Sequence, residues 1–374
     1  MINNRKVLIL VSVASMIKQF NMNNIKILLD LGYQVEVVAD FSYLDNIDKN
    51  YVDSLIDELN SMSVKIHNIS IPRTLSIKRI IYSYNEVKKL IYNNNYYFIH
   101  CQSPIGSAIL RLAARKTKTK IIYTAHGFHF YKGSSIINWL IFFPVEYYLS
   151  RFTDCLITIN NTDYEFAKNK LKAKNNVFVP GIGIDLNKFY PKKNDYLRKE
   201  FHLSSNDKIL LSVGELGTNK NHIVVLKTLS MLNDNRIHYF IVGNGKLYNE
   251  FIDFGNKYSI NLHLLGFRND MFEIYNSADA FVFPSFREGL PVSLMEAMAC
   301  GVVCIASKIR GNIDLLDSQH SYLVENNSIE SYANAIKSAL YNSNTSFVEY
   351  NLNKINDFSV DKVNNIMREI YKNI

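Results

Sequence analysis

The sequence predicts an α/β fold of two doubly wound domains, each a parallel sheet covered by helices. Three observations carry this. Short buried apolar runs alternate with helical stretches in two separate series, the pattern of parallel sheets. A turn-rich connection separates the series. The length, 374 residues, exceeds what one core holds comfortably and suits two domains of ordinary size. With 48% hydrophobic and 20% charged residues, the chain has the material for such cores and is not disordered.

The first element requires a choice. Arg5-Lys6 followed by Val7-Leu8-Ile9-Leu10-Val11-Ser12-Val13-Ala14 has the basic-then-apolar form of a secretory signal. It reads instead as the first buried strand, because a helical stretch over 16–31 and a strand over 34–39 complete a βαβ opening. Strands follow at 97–101, 120–123, 155–159 and 177–179. The longest membrane-like stretch, 136–149, carries Pro144 and Glu146 and falls short of the roughly 20 apolar residues that a spanning helix requires. Pro180-Gly181-Ile182-Gly183 and Pro191-Lys192-Lys193 supply the linker. The second series has strands at 209–213, 238–242, 261–265, 280–283 and 303–306. The four cysteines, Cys101, Cys155, Cys300 and Cys304, have no paired metal-ligand spacing, and scattered thiols suit a reducing, cytoplasmic compartment.

Chemistry concentrates in Phe286-Arg287-Glu288-Gly289-Leu290-Pro291-Val292-Ser293-Leu294-Met295-Glu296. Pro291 marks the first turn of a helix, where its missing amide is not needed. The amides that follow lack intrahelical partners and, with the helix dipole, attract phosphate. Glu296 lies about a turn and a half further on, where a carboxylate accepting two hydrogen bonds suits a vicinal diol such as ribose. Glu288, in the loop before the helix, is placed for a sugar hydroxyl.

The run 283–301, with Ile305-Ala306-Ser307 and Gly311, resembles the donor-site signature of retaining glycosyltransferases of family 4. His100-Cys101-Gln102-Ser103-Pro104, Thr124-Ala125-His126-Gly127, Pro180-Gly181-Ile182-Gly183-Ile184-Asp185, Val213-Gly214-Glu215-Leu216 with Lys220, and Val242-Gly243-Asn244-Gly245 occur in the family's order. The resemblance therefore spans nearly the whole chain. It implies the GT-B arrangement, two Rossmann-like domains facing across a cleft: an acceptor-side domain at 1–185, a nucleotide-sugar domain at 186–356, and a last helix within 357–374 crossing back. It implies a donor set of Gly214, Lys220, Gly243, Gly266, Arg268, Glu288, Gly289, Leu290, Pro291, Val292 and Glu296. Lys220 would meet the diphosphate as a point charge. His126 would stand near the reacting sugar, bonding the sugar or the donor phosphate, with Glu288 orienting it; Ser15, Lys18 and His129 would lie on the acceptor side. Glu215 departs from the pattern, since the family usually has Arg there; Arg268 or Arg287 would have to compensate.

Residues 1–185 hold 22 Lys plus Arg against 14 Asp plus Glu, or +8, whereas 186–374 hold 20 against 20. Basic clusters at 111–120 and at Lys168, Lys170, Lys172 and Lys174 accompany Trp139, Phe142, Phe143, Tyr147 and Tyr148. Without a nucleic-acid-binding module, this combination points to an anionic inner-leaflet membrane surface rather than nucleic acid. A core helix over 136–148 is the equally weighted alternative.

The stretches 123–130 and 138–154 resemble bacterial capsular or exopolysaccharide transferases of the EpsD-like type, which act at the cytoplasmic membrane face on polyprenyl-diphosphate sugars. That implies transfer of a hexose or N-acetylhexosamine from a UDP-sugar to a lipid-linked saccharide, with retention. No Asp-x-Asp occurs, so no obligatory metal or other cofactor is expected. A UDP-sugar epimerase of related fold and a noncatalytic nucleotide-sugar-binding subunit remain alternatives.

Overall fold

Two all-parallel sheets organise the computed structural model, which describes residues 5–43, 49–325 and 327–374. The first sheet contains β1 (Lys6–Val13), β2 (Gln34–Asp40), β3 (Lys65–Asn68), β4 (Tyr96–Gln102), β5 (Lys120–Ala125), β6 (Cys155–Thr158) and β7 (Asn175–Phe178), in the order β3-β2-β1-β4-β5-β6-β7. The second contains β8 (Lys208–Val213), β9 (Ile237–Val242), β10 (Asn261–Gly266), β11 (Ala280–Phe283), β12 (Val303–Ser307) and β13 (Tyr322–Val324), in the order β10-β9-β8-β11-β12-β13. The chain divides accordingly into one unit of Met1–Ile182 with Val363–Ile374 and another of Gly183–Lys362. The fold is α/β.

Period-two alternation explains why β1 reads as an unbroken apolar run. Val7, Ile9 and Val11 face one core with Ile25, Leu28 and Tyr371, while Leu8 and Leu10 face another with Val87, Ile109 and Leu110. A strand covered on both sides has no polar face. The last helix, Val360–Asn373, sends Val363, Met367 and Tyr371 into the first of these cores at a spacing of four. Tyr371 also bonds the buried His100 through its hydroxyl, 2.8 Å from Nδ1.

Strand order reverses at the central strand of each unit. β1 has β2 on one side and β4 on the other; β8 has β9 and β11. In open α/β sheets, ligands bind beyond the carboxyl ends of strands at such a switch point. Two features of the fold differ from expectation. The single helix expected over 16–31 is two, Ala14–Phe20 and Met22–Asp30, broken at Asn21, whose backbone leaves the helical region at φ −125°. The short strands β3 and β13 were not anticipated.

Candidate functional site

In the second unit, the loops after β8 and β11 are tied together at the switch point. Lys220 Nζ donates to Glu288 Oε1 at 2.8 Å and lies 4.7 Å from the centre of the Phe283 ring. The lysine stem passes over Gly214, where a Cβ would come within 3.1 Å of it. Backbone and amide contacts brace the pair: Phe286 N donates to Asn219 O at 2.8 Å, and Asn219 Nδ2 to Arg287 O at 3.0 Å. Asn221, in the left-handed region at φ 54°, reaches Pro284 O at 3.3 Å. From the other side, Gly311 packs so closely that a Cβ would lie 2.4 Å from Gly289 O, and its φ of 85° suits glycine. Ser307 Oγ holds Ser285 O at 2.5 Å. Three strand ends thus fix the segment that carries Glu288.

The helix Val292–Ala299 begins one residue later than expected, with Pro291 as its N-cap. Amides of its first turn still have no intrahelical carbonyl. Leu290 and Pro291 are buried, whereas Gly289 and Val292 are partly exposed. Glu296 Oε2 accepts from the Tyr275 hydroxyl at 2.8 Å. Burial raises the Glu296 pKa above its ordinary value, against the Tyr275 bond and the nearby Lys188. Tyr275 titrates far above its usual range, chiefly through burial and then through Glu296, so it stays a donor.

Gly243 and Gly266 serve the loops themselves. Gly243 N donates to Gly266 O at 2.8 Å, and a Cβ on Gly243 would fall 2.1 Å from Gly214 O. Arg268 is committed elsewhere: it bonds Glu200 at 2.8 and 3.1 Å and Asp270 at 2.8 and 2.5 Å. It therefore does not stand as a spare phosphate cation in place of the absent family Arg. Glu215 is exposed, with its carboxyl beside Gly217. Arg310, which the sequence reading missed, donates through Nε to Glu288 O at 3.3 Å. Its signal was its place next to the motif residue Gly311.

The first unit carries neutral groups at its switch point. Ser12 Oγ and Ser103 Oγ are 2.7 Å apart at the ends of β1 and β4. His126, after β5, bonds Gln102 Oε1 through Nε2 at 2.7 Å, and burial pushes its pKa down to about 4. Asp163, nearly buried, accepts from Phe128 N at 3.1 Å and so steadies the loop that carries His126. His129 stacks on Phe142 at 4.7 Å. Lys18 is paired with Glu58, and Ser15 lies on the same helix.

Two further corrections concern the surface. Arg111, counted with the basic cluster, is 1% exposed, stacks 4.3 Å over Tyr123 and holds Glu146 at 2.5 and 3.0 Å. That pair clamps the helix Ile136–Ser150 onto the helix Pro104–Ala114. The helix over 136–150 has a core-packed face, as the core-helix alternative expects, and an exposed apolar one. Trp139, Phe142, Phe143 and Tyr147 pack on the core, while Ile136, Ile137 and Leu140 are 77%, 66% and 71% exposed. Among the described residues, no helix is long and apolar enough to cross a membrane.

Comparison with known proteins bears on the family and the fold. Residues 193–352 match the family model of glycosyl transferases group 1, and residues 6–160 match glycosyl transferase 4-like. A Bacillus subtilis (strain 168) protein named "Putative glycosyltransferase EpsD" is 31% identical over 89% of this chain and 87% of its own length. The Escherichia coli UDP-Gal:alpha-D-GlcNAc-diphosphoundecaprenol alpha-1,3-galactosyltransferase is 30% identical over 71% of each chain. The crystal structure of Anabaena HepE in complex with UDP and glucose superposes with a TM-score of 0.78 at 15% identity, covering 99% of this chain and all of the other. That likeness shows the GT-B fold.

Proposed function

Because this chain belongs to the group 1, 4-like glycosyltransferases, we propose that it moves a hexose or N-acetylhexosamine from a UDP-sugar to a polyprenyl-diphosphate-linked saccharide. The observation that carries the reading is the Lys220–Glu288 pair at the switch point, beside the opening amides of the helix Val292–Ala299. The two side chains neutralise each other without a donor. When the donor binds, its diphosphate takes Lys220 and the helix amides, and a sugar hydroxyl takes Glu288. Glu296 accepts the ribose diol. The E. coli relative uses a UDP-sugar and a diphosphoundecaprenol acceptor by its name, which supports both substrate classes here.

Transfer proceeds on one face of the sugar with retention. The acceptor oxygen forms the bond to the anomeric carbon as the bond to the diphosphate oxygen breaks, and that leaving oxygen takes the acceptor proton. Charge building on the diphosphate is met by Lys220 and the helix amides, so no obligatory divalent ion is required. A thermal-shift screen across UDP-sugars tests donor binding; no shift with any of them would remove the donor class.

We further propose that the first unit rests on an anionic bilayer at the cytoplasmic face through the helix Ile136–Ser150. Ile136, Ile137, Leu140, Ile141, Val145 and Tyr148 are exposed along it, where a surface helix would ordinarily be polar. Leu75, Ile77, Ile81 and Tyr82, exposed at the helix Ile77–Tyr92, lie beside Lys78 and Arg79. Exposed apolar side chains with neighbouring cations match a lipid surface carrying negative charge. Failure to cosediment with anionic liposomes at moderate salt would exclude it.

A further inference from the structure

Backbone carbonyls at the break between the helices Ala14–Phe20 and Met22–Asp30 fix the direction of a hydrogen-bond chain that ends on His126. A carbonyl oxygen only accepts, so Met16 O faces the Nδ2 of Asn21, 3.0 Å away. Phe20 O likewise faces the Nδ2 of Asn24, at 3.4 Å. Asn21 Oδ1 is thereby turned the other way, where it accepts from Asn24 Nδ2 at 3.2 Å and from Gln102 Nε2 at 2.6 Å. Gln102 then has only Oε1 to offer His126, and Oε1 cannot donate. The His126 Nε2, 2.7 Å from it, must carry the ring proton. Asn21 and Gln102 are 0% and 2% exposed, so water does not compete to reverse the chain.

We propose that Asn21 and Gln102 are positioning residues that hold His126 in its Nε2–H tautomer and present Nδ1 as a hydrogen-bond acceptor. Burial separately keeps the ring neutral, with its pKa near about 4. The Phe20 ring, 5.1 Å away, packs against the imidazole. A neutral imidazole lone pair accepts from a hydroxyl and repels a phosphate oxygen. Of the two roles open to His126 from sequence, the saccharide hydroxyl follows and the donor phosphate does not. Only the identity of that hydroxyl rests on the glycosyltransferase reading; the tautomer does not.

The test uses the full chain labelled with ¹⁵N-histidine, with His126 assigned by loss of its signals in His126→Gln. Long-range ¹H–¹⁵N spectra are expected to show a protonated Nε2 and a bare Nδ1, whether or not any sugar is transferred. Gln102→Met is expected to mix the tautomers and to raise KM about fivefold, the effect of one neutral hydrogen bond. The rise falls on the UDP-sugar if the hydroxyl belongs to the donor, and on the lipid-linked saccharide if it belongs to the acceptor. The affinity for UDP alone is expected to stay unchanged. An Nδ1-protonated ring in the wild-type protein would overturn the proposal, even if Gln102→Met failed to fold. So would loss of the tautomer with unchanged kinetics, or an equal loss of UDP affinity.

Discussion

The two units share an architecture, a parallel sheet with a switch point beside its central strand, but they equip that point with opposite kinds of polarity. The second unit places a charged pair there, Lys220 with Glu288, next to free helix amides. The first places Ser12, Ser103, Gln102 and a neutral His126 there. The contrast is sharper because the excess positive charge lies in residues 1–185, whereas 186–374 balance to zero. The charge at each switch point therefore does not follow the net charge of its unit. On the proposed reading, the charged pair and helix amides of the second unit suit a diphosphate, and the neutral groups of the first unit suit a saccharide hydroxyl.

The largest expected effect comes from removing the cation. Lys220→Ala is expected to lower turnover about 10²–10³-fold, the usual loss when one group that stabilises a leaving anion is deleted, measured by single-turnover product formation. Loss below tenfold would assign the diphosphate to another group. Glu296→Gln is expected to weaken UDP binding about 10–100-fold by calorimetry, since hydrogen bonds to a charged acceptor are lost. Burial raises the Glu296 pKa above 4.5, so the carboxylate protonates earlier than usual as pH falls. Wild-type UDP affinity should consequently fall on acidification more steeply than that of Glu296→Gln.

A smaller effect belongs to the outer surface of the first unit. Ile136→Asp with Leu140→Asp should reduce liposome binding about tenfold, because two exposed apolar side chains no longer enter the lipid. Thermal stability should hardly change, as neither is buried. A separate readout is acid sensitivity. Burial lowers the His100 pKa from 6.5 to about 3, so the unfolded chain binds its proton first. Stability is fully present above pH 6.5 and declines as pH falls toward about 3. His100→Gln should flatten that part of the melting-temperature profile.

Continuous apolar runs made most strands legible, because a strand buried on both faces announces itself locally. β3 escaped because Lys65-Ile66-His67-Asn68 has no apolar run, and β13 because it is only three residues long. The break at Asn21 escaped for another reason: its side chain is held by Gln102, 81 residues away, and no local period records such a bond. Arg111 looked like a surface base because its partner Glu146 lies 35 residues on. Arg268 looked available because Glu200 lies 68 residues before it. The motif around Glu288 and Glu296 was readable because its turn, proline and carboxylates are contiguous. The pairing of Glu288 with Lys220 was not readable, since it depends on two strand ends meeting.

The most direct test of the central claim is the anomeric configuration and mass of the product formed from a UDP-hexose and a polyprenyl-diphosphate-linked saccharide. The account predicts one added sugar whose linkage keeps the donor's α-configuration, formed by the wild-type chain and all but lost in Lys220→Ala. An inverted linkage, or equal product from both proteins, would contradict it.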